Sequence, residues 1–231
     1  MRSSDSQVAV KLTPNELGRR LNPAKPRVRI LNAATELFHK QGVRLTTPGE
    51  IIQAAGTGRG QFYHHFKNKS FLVHEVLRRF LEAVRTGKGP VSYDITSWQD
   101  VERFFLSHIE FQRKFAMTRS CPIGTVANEV SEEDELVRHD INLILEMMTS
   151  KLATFFAREK ANGRLGAEVK PDVAADFCIA AIQGAMLLGK GDRSSRPVEG
   201  AVKEAILHLQ NYVVPAKPGK MNVKRNSDLS I

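Results

Sequence analysis

Apolar residues along this chain recur three and four apart, the spacing of a helix face, and glycine and proline punctuate the runs. Ile30, Leu31, Ala34, Leu37 and Phe38 make one such stripe and predict a helix from about Arg27 to Gln41, stopped by Gly42. Thr47-Pro48-Gly49-Glu50 opens a second helix. It offers a capping hydroxyl, a proline whose missing N–H is not needed in a first turn, and a carboxylate that reaches back to the cap. Ile51, Ile52, Ala54 and Ala55 make that helix short and apolar, and Gly56 breaks it. Thr57 is expected to cap a third helix, in which Phe62 and Phe66 stand four apart and share one face. Lys69 and Ser70 open a fourth, where Phe71, Leu72, Val76, Leu77, Phe80 and Leu81 carry an apolar face up to Gly87.

The pattern resumes after Lys88 to Thr96, a segment holding Gly89, Pro90 and Tyr93 that reads as a linker and domain boundary. Ser97, with Asp100 three residues on, caps a helix that lines up Val101, Phe104, Phe105, His108, Phe111 and Phe115. Arg119 to Gly124 interrupts the helical pattern. A long helix is expected from about Ser131 to Asn162, with Leu136, Leu143, Met147, Phe155 and Phe156 facing inward and Gly163 as its stop. Pro171-Asp172 opens the next, Val173 to Lys190, crowded with Ala174, Ala175, Ala180, Ala181, Gly184 and Ala185, which permit close helix approach. A last helix, about Val198 to Val213, spaces Val202, Ala205, Ile206, Leu209 and Val213.

The chain thus divides into a basic leader (1–24), a first helical domain (25–88), a second (89–214) and a polar, basic tail (215–231) expected to be disordered. Thr13-Pro14-Asn15-Glu16 repeats the capping grammar and allows a short helix through Leu21. Arg19, Arg20, Lys25, Arg27 and Arg29 form a basic arm, read as a solvated leader in preference to one reaching DNA phosphates.

Charge sharpens this division. Residues 1–90 hold 16 Lys and Arg against 6 Asp and Glu, whereas the remainder holds 18 against 19. A basic front half joined to a near-neutral back half points to a polyanion-binding module coupled to a differently employed partner. Two cysteines without zinc-like spacing, and no signal peptide, point to a reducing cytosol. No apolar run is expected to reach transmembrane length, and no membrane partner is called for.

The outward face of the third helix centres on Gly60 and His64, flanked by Arg59, Gln61 and Tyr63. Glycine lets a backbone approach closely, arginine forks onto guanine, glutamine pairs with adenine, and a tyrosine hydroxyl reaches a phosphate. Two such helices around a glycine turn are a helix-turn-helix. Arg59 and Gln61 are the candidate base contacts, with Thr47, Thr57, Tyr63, His64 and Lys69 on phosphates.

The run from Thr46 to Gly56, followed by Arg59-Gly60-Gln61-Phe62-Tyr63-His64-His65-Phe66-Lys67-Asn68-Lys69, closely resembles the DNA-binding domain of the tetracycline-repressor (TetR) family. In that family a pattern ending Tyr-His-x-Phe-x-x-Lys closes the recognition helix and opens the next. The resemblance covers about residues 27 to 85 and beyond that is one of layout and length. It implies an all-α homodimer with an N-terminal three-helix DNA-binding domain and a C-terminal helical bundle for ligand sensing and dimerisation. It also implies a roughly palindromic double-stranded operator, a small-molecule effector that relieves repression, and a four-helix dimer interface from the last two helices of each subunit.

The remaining chemistry is sparse. His64, His65 and His74 lack a metal geometry, and no catalytic triad order, phosphate loop or paired carboxylates stand out, so no metal, no cofactor and no enzyme is expected. Phe104, His108, Phe111, Cys121, His139 and Met147 are the candidate pocket residues, each also readable as ordinary core. Cys121, ahead of Pro122 and near Arg119, would stand at a helix cap where its thiolate is favoured, giving an alternative reading as a sensor of electrophiles or oxidants. That part of the chain resembles the Cys-containing start of a helix in some TetR ligand domains. A third reading is a constitutive architectural DNA-binding dimer.

Overall fold

The structure, a computed structural model, describes residues 25–129 and 134–214. The leader with its expected short helix, the tail, and residues 130–133 lie outside the described residues. Nine helices are described: α1 (Pro26–Leu45), α2 (Pro48–Ala55), α3 (Arg59–His65), α4 (Lys69–Thr86), α5 (Trp98–Lys114), α6 (Pro122–Ala127), α7 (Glu135–Ala161), α8 (Pro171–Asp192) and α9 (Arg196–Gln210).

The expected stops are where the backbone turns. Gly42 breaks the α-helical path of α1 with a φ of 83°, after which the chain winds on for one more turn to Leu45. Gly56 and Gly87 end α2 and α4 in the left-handed region, and Gly163 follows α7 there, a conformation that penalises any residue with a Cβ. Both expected capping boxes form, Thr47 with Glu50 and Ser97 with Asp100. One cap differs. Gly58, not Thr57, is the residue before α3, because the Thr57 N–H is drawn back to the Ile52 carbonyl at 3.1 Å as part of the turn that ends α2.

α1 packs on α2, α3 and α4, and α4 then runs on to lie along α7. α8 is sandwiched between α7 and α9, α5 rests on α8 and α9, and the short α6 bridges α1 and α7. Buried side chains from Ile30 to Leu209 form one continuous cluster, so the two halves share a core. Near the far end Leu165 and Val213 pair as an isolated bridge, with the Gly166 N–H donating to the Tyr212 carbonyl at 2.9 Å.

Two expectations about faces need correction. In α7, Leu136 and Leu143 are exposed, and Val137, Ile141, Ile144, Met148 and Leu152 form the inner stripe together with the expected Phe155 and Phe156. The helix carries leucine, isoleucine or valine on more than one side, so spacing alone does not set its rotation. α8 also defeats the expectation that no apolar run reaches membrane-spanning length: at 22 residues it is long and apolar enough. Packing between α7 and α9 buries 44% of its most apolar stretch, and Val173, Phe177, Leu187 and Leu188 remain exposed on its outer face.

Candidate nucleic-acid interface and ligand cavity

α3 is held from below. Phe62 and Phe66 are fully buried, and their rings lie 6.1 Å apart against the α1 side of the core. This anchoring leaves Arg59, Gly60, Gln61, Tyr63 and His64 exposed together, as the sequence predicts. Arg59 lies over the Tyr63 ring at 5.8 Å, which limits the guanidinium's freedom while keeping it on the surface. A Cβ at Gly60 would meet nothing within 4 Å, so this glycine presents bare backbone without any packing need inside the chain.

The other expected phosphate contacts are placed differently. Thr47 is exposed, but its hydroxyl and N–H both donate to Glu50 at 2.8 and 2.7 Å, and this holds the Glu50 carboxyl below its ordinary pKa. Thr57 is only 6% exposed and its hydroxyl is buried without a partner, so it faces the core and not a phosphate. Lys69 is half-buried and donates to the Arg44 carbonyl at 3.3 Å, tying α4 to the end of α1. Partial burial lowers its pKa, opposed by Glu129 and Glu50. Arg44, at the end of α1, and Lys67, two residues after α3, are further exposed cations. Their position in the linear pattern, one at a helix end and one between the two signature aromatics and Lys69, did not mark them.

The DNA-proximal elements are fastened to the bundle by polar contacts. His74 on α4 pairs with the buried Asp140 on α7, and the Ser70 hydroxyl donates to Asp134 at 2.5 Å. Glu129, after α6, accepts from the Arg44 N–H at 2.8 Å. Arg119 pairs with Glu36 of α1 at 2.7 Å. These contacts resist displacement of α4 and α1 relative to the bundle.

Between the same elements lies a cavity of about 510 Å³. Its walls come from α1 (Phe38, His39), α4 (Val76, Phe80), the segment before α5 (Tyr93), α5 (His108, Phe111), the start of α6 (Cys121) and α8 (Met186). Of the expected pocket residues, His108, Phe111 and Cys121 line it, and Phe104 lies just behind, with its ring 4.8 Å from that of His108 and 5.4 Å from that of Tyr93. His139 and Met147 do not reach it. His139 is exposed on α7 and Met147 half-buried, a consequence of the same rotation that exposes Leu143. Tyr93, expected in a linker, is instead buried, and α1 contributes a wall from the first domain, where it packs on α4 and α6, which local spacing does not reveal.

Burial disfavours the charged forms of His108, Tyr93 and His39 in the cavity wall. His108 donates from Nδ1 to the Phe104 carbonyl at 2.7 Å, and burial pushes its pKa down to about 4. Burial pushes the Tyr93 phenol well above its ordinary range, reinforced by Cys121, and lowers His39, with Arg119 nearby adding to the effect. Cys121 is buried and its sulfur makes no cap hydrogen bond to α6. Arg119, expected to favour its thiolate, turns away: the guanidinium pairs with Glu36 and lies 3.8 Å over the Phe115 ring. Cys178 is buried in α8, and its thiol is pushed up to about 12 by burial. Among the described residues no cluster of His, Cys, Asp or Glu forms a metal site.

Comparison with known proteins agrees with this geometry. Residues 30–76 match the family described as "Bacterial regulatory proteins, tetR family", and residues 99–205 match "Tetracyclin repressor-like, C-terminal domain". The chain is 25% identical over 175 residues to the HTH-type transcriptional repressor DhaR of Mycobacterium sp. (strain GP1), covering 75% of this chain and 86% of that protein. It is 43% identical over 60 residues to the HTH-type transcriptional repressor KstR2 of Mycolicibacterium smegmatis, covering 26% of this chain and 29% of the relative. In fold it is similar to a TetR regulatory protein from Rhodobacter sphaeroides, with a TM-score of 0.72 at 20% identity, covering 83% of this chain and all of that one. The two family models together span both halves of the chain, and the relatives are regulators of the same kind: the chain belongs to the TetR family of bacterial transcriptional regulators.

Proposed function

We propose that the protein is a homodimeric repressor in the cytoplasm, released from a palindromic operator when a small molecule enters the cavity beneath α1 and α4. The DNA-binding domain is taken as residues 25–88 and the sensing and dimerising domain as 89–214. The observation that carries this reading is the shared wall: α1 and α4, which position α3, also enclose the cavity. The exposed apolar stripe of α8, with Leu207 on α9, supports a dimer whose two α3 helices stand about 34–36 Å apart in successive major grooves. Occupancy of the cavity favours a dimer in which α4 has tilted and that spacing is lost, a shift set by the ligand's differential affinity for the two states. Arg59 and Gln61 contact bases in this scheme, and Tyr63, His64 and Lys67 contact phosphates.

The test is footprinting of the full chain on its own upstream promoter across a salt series, with random DNA as control. The expected result is a protected, roughly palindromic site, with affinity falling steeply in salt and lost in Arg59→Ala/Gln61→Ala while the melting temperature holds. Equal affinity for random DNA would overturn the reading.

A further inference from the structure

The cavity's polar groups specify what it accepts. With Nδ1 of His108 committed to the Phe104 carbonyl, the neutral ring presents Nε2 as a bare acceptor, and His108 is a lining residue. Tyr93 also lines the cavity, and its hydroxyl makes no hydrogen bond among the described residues. Apart from His39, whose two ring nitrogens are buried without a partner on the α1 side, the rest of the interior wall is mainly apolar or aromatic, including Phe38, Val76, Phe80, Phe111 and Met186. The cationic lining residue, Arg79, stands exposed at the rim with its guanidinium bonded to Asn32 at 2.5 Å. The other rim charge, Glu36, is neutralised by Arg119.

We propose, on the reading that this cavity is the effector site, that it takes an uncharged, mainly apolar alcohol or phenol whose hydroxyl donates to His108 Nε2 and accepts from Tyr93. The hydroxyl group suits this pair because it carries one donor and two acceptor positions on a single oxygen. A carboxylate does not fit there. It has no proton to give Nε2, and it would leave water for a position where neither His108 nor Tyr93 offers a positive charge. His108 is kept from becoming that charge by its own burial, with a pKa near 4. An anion anchored at Arg79 would leave the inner pair unsatisfied. A plain hydrocarbon fills the cavity but covers His108 Nε2 and the Tyr93 hydroxyl without giving either a partner. The aromatic lining favours a flat, rigid body over a flexible chain, which loses more conformational freedom on binding.

The test compares three probes of one shape by calorimetric titration of the full chain: 2-naphthol, naphthalene and 2-naphthoate. The expected order is 2-naphthol tightest, naphthalene weaker by about ten-fold, and 2-naphthoate weaker still. Tyr93→Phe removes only a hydroxyl and keeps the ring, so it preserves the fold. It is expected to narrow the gap between 2-naphthol and naphthalene, and His108→Phe to abolish it, whereas His108→Gln, which retains an acceptor, restores part of it. Binding of 2-naphthoate as tight as that of 2-naphthol, or no preference for 2-naphthol over naphthalene, overturns the assignment, as does failure of all three to bind. Footprinting on the same preparations separates the two levels: a specific operator complex with no 2-naphthol binding discards the ligand class and leaves the regulator reading intact. Loss of the operator complex discards the regulator reading.

Discussion

The surface of α3 and the cavity beneath α1 are built from overlapping parts and treat charge in opposite ways. On α3 the buried Phe62 and Phe66 serve only to hold Arg59, Gln61, Tyr63 and His64 in water, where a charge costs little and a phosphate can find it. In the cavity the polar groups themselves are buried, and the same removal from water disfavours the charged forms of His108, His39 and Tyr93. The difference separates stability from recognition. On α3 the residues proposed to recognise DNA are not those that stabilise, whereas around the cavity the proposal gives His108 both roles. Substitutions that pull these roles apart therefore measure the comparison directly.

The largest effect is expected at the anchor. Phe62→Ala should cost about 3–5 kcal/mol of folding stability, the range for emptying a fully buried aromatic site, and take DNA binding with it. Arg59→Ala/Gln61→Ala, by contrast, should change stability by no more than about 0.5 kcal/mol while abolishing specific binding. Urea denaturation of both variants reads this. A stability loss in the double variant comparable to that of Phe62→Ala would erase the division of labour on α3.

The cavity yields a smaller effect that depends on pH. His108 has a folded pKa of about 4 against an ordinary 6.5, so between these values the unfolded chain takes up a proton that the folded chain refuses. The associated stability is therefore complete above about pH 6.5 and declines as pH falls toward 4, and His39 acts in the same direction. At roughly 1.4 kcal/mol per unit, His108 should account for about 2 kcal/mol of the loss between pH 7 and pH 5. Denaturation at the two pH values should show a shallower loss in His108→Phe than in the parent protein. Equal losses would mean that the imidazole is not kept neutral by the fold.

What could be read in advance follows from how locally each feature is encoded. The glycines at 42, 56, 87 and 163 and the caps at Thr47 and Ser97 act through their immediate neighbours, and all of them turn or start the chain where expected. The exposed set on α3 was equally legible, because a seven-residue helix anchored by a buried Phe62 within it and a buried Phe66 directly after it has only one possible outer face. Thr57 failed by one residue of capping geometry. α7 failed because apolar residues on several sides leave its rotation to its neighbours, and that misplaced His139 and Met147. The cavity was half legible: His108, Phe111 and Cys121 share a region of sequence, but Tyr93 lies in a segment whose composition reads as a linker, and His39 joins them from α1, some seventy residues away in the chain. The His74–Asp140 contact is of the same kind, since 66 residues separate its members.

The smallest expected change in stability is at Gly60, and it has the opposite sign to the others. Nothing lies within 4 Å of a Cβ built there, and alanine is the better helix former, so Gly60→Ala should stabilise the folded chain by about 0.5 kcal/mol. If α3 lies in the major groove with its Gly60 face inward, the added methyl instead meets DNA, and operator affinity should fall by roughly ten-fold while folding improves. The substitution thus isolates recognition from stability at a single atom. Melting temperature and operator affinity measured on one preparation decide it. An unchanged affinity would mean that Gly60 stands away from the bases, which would turn α3 so that Gln61 and His64 lead into the groove and Arg59 stays with the backbone.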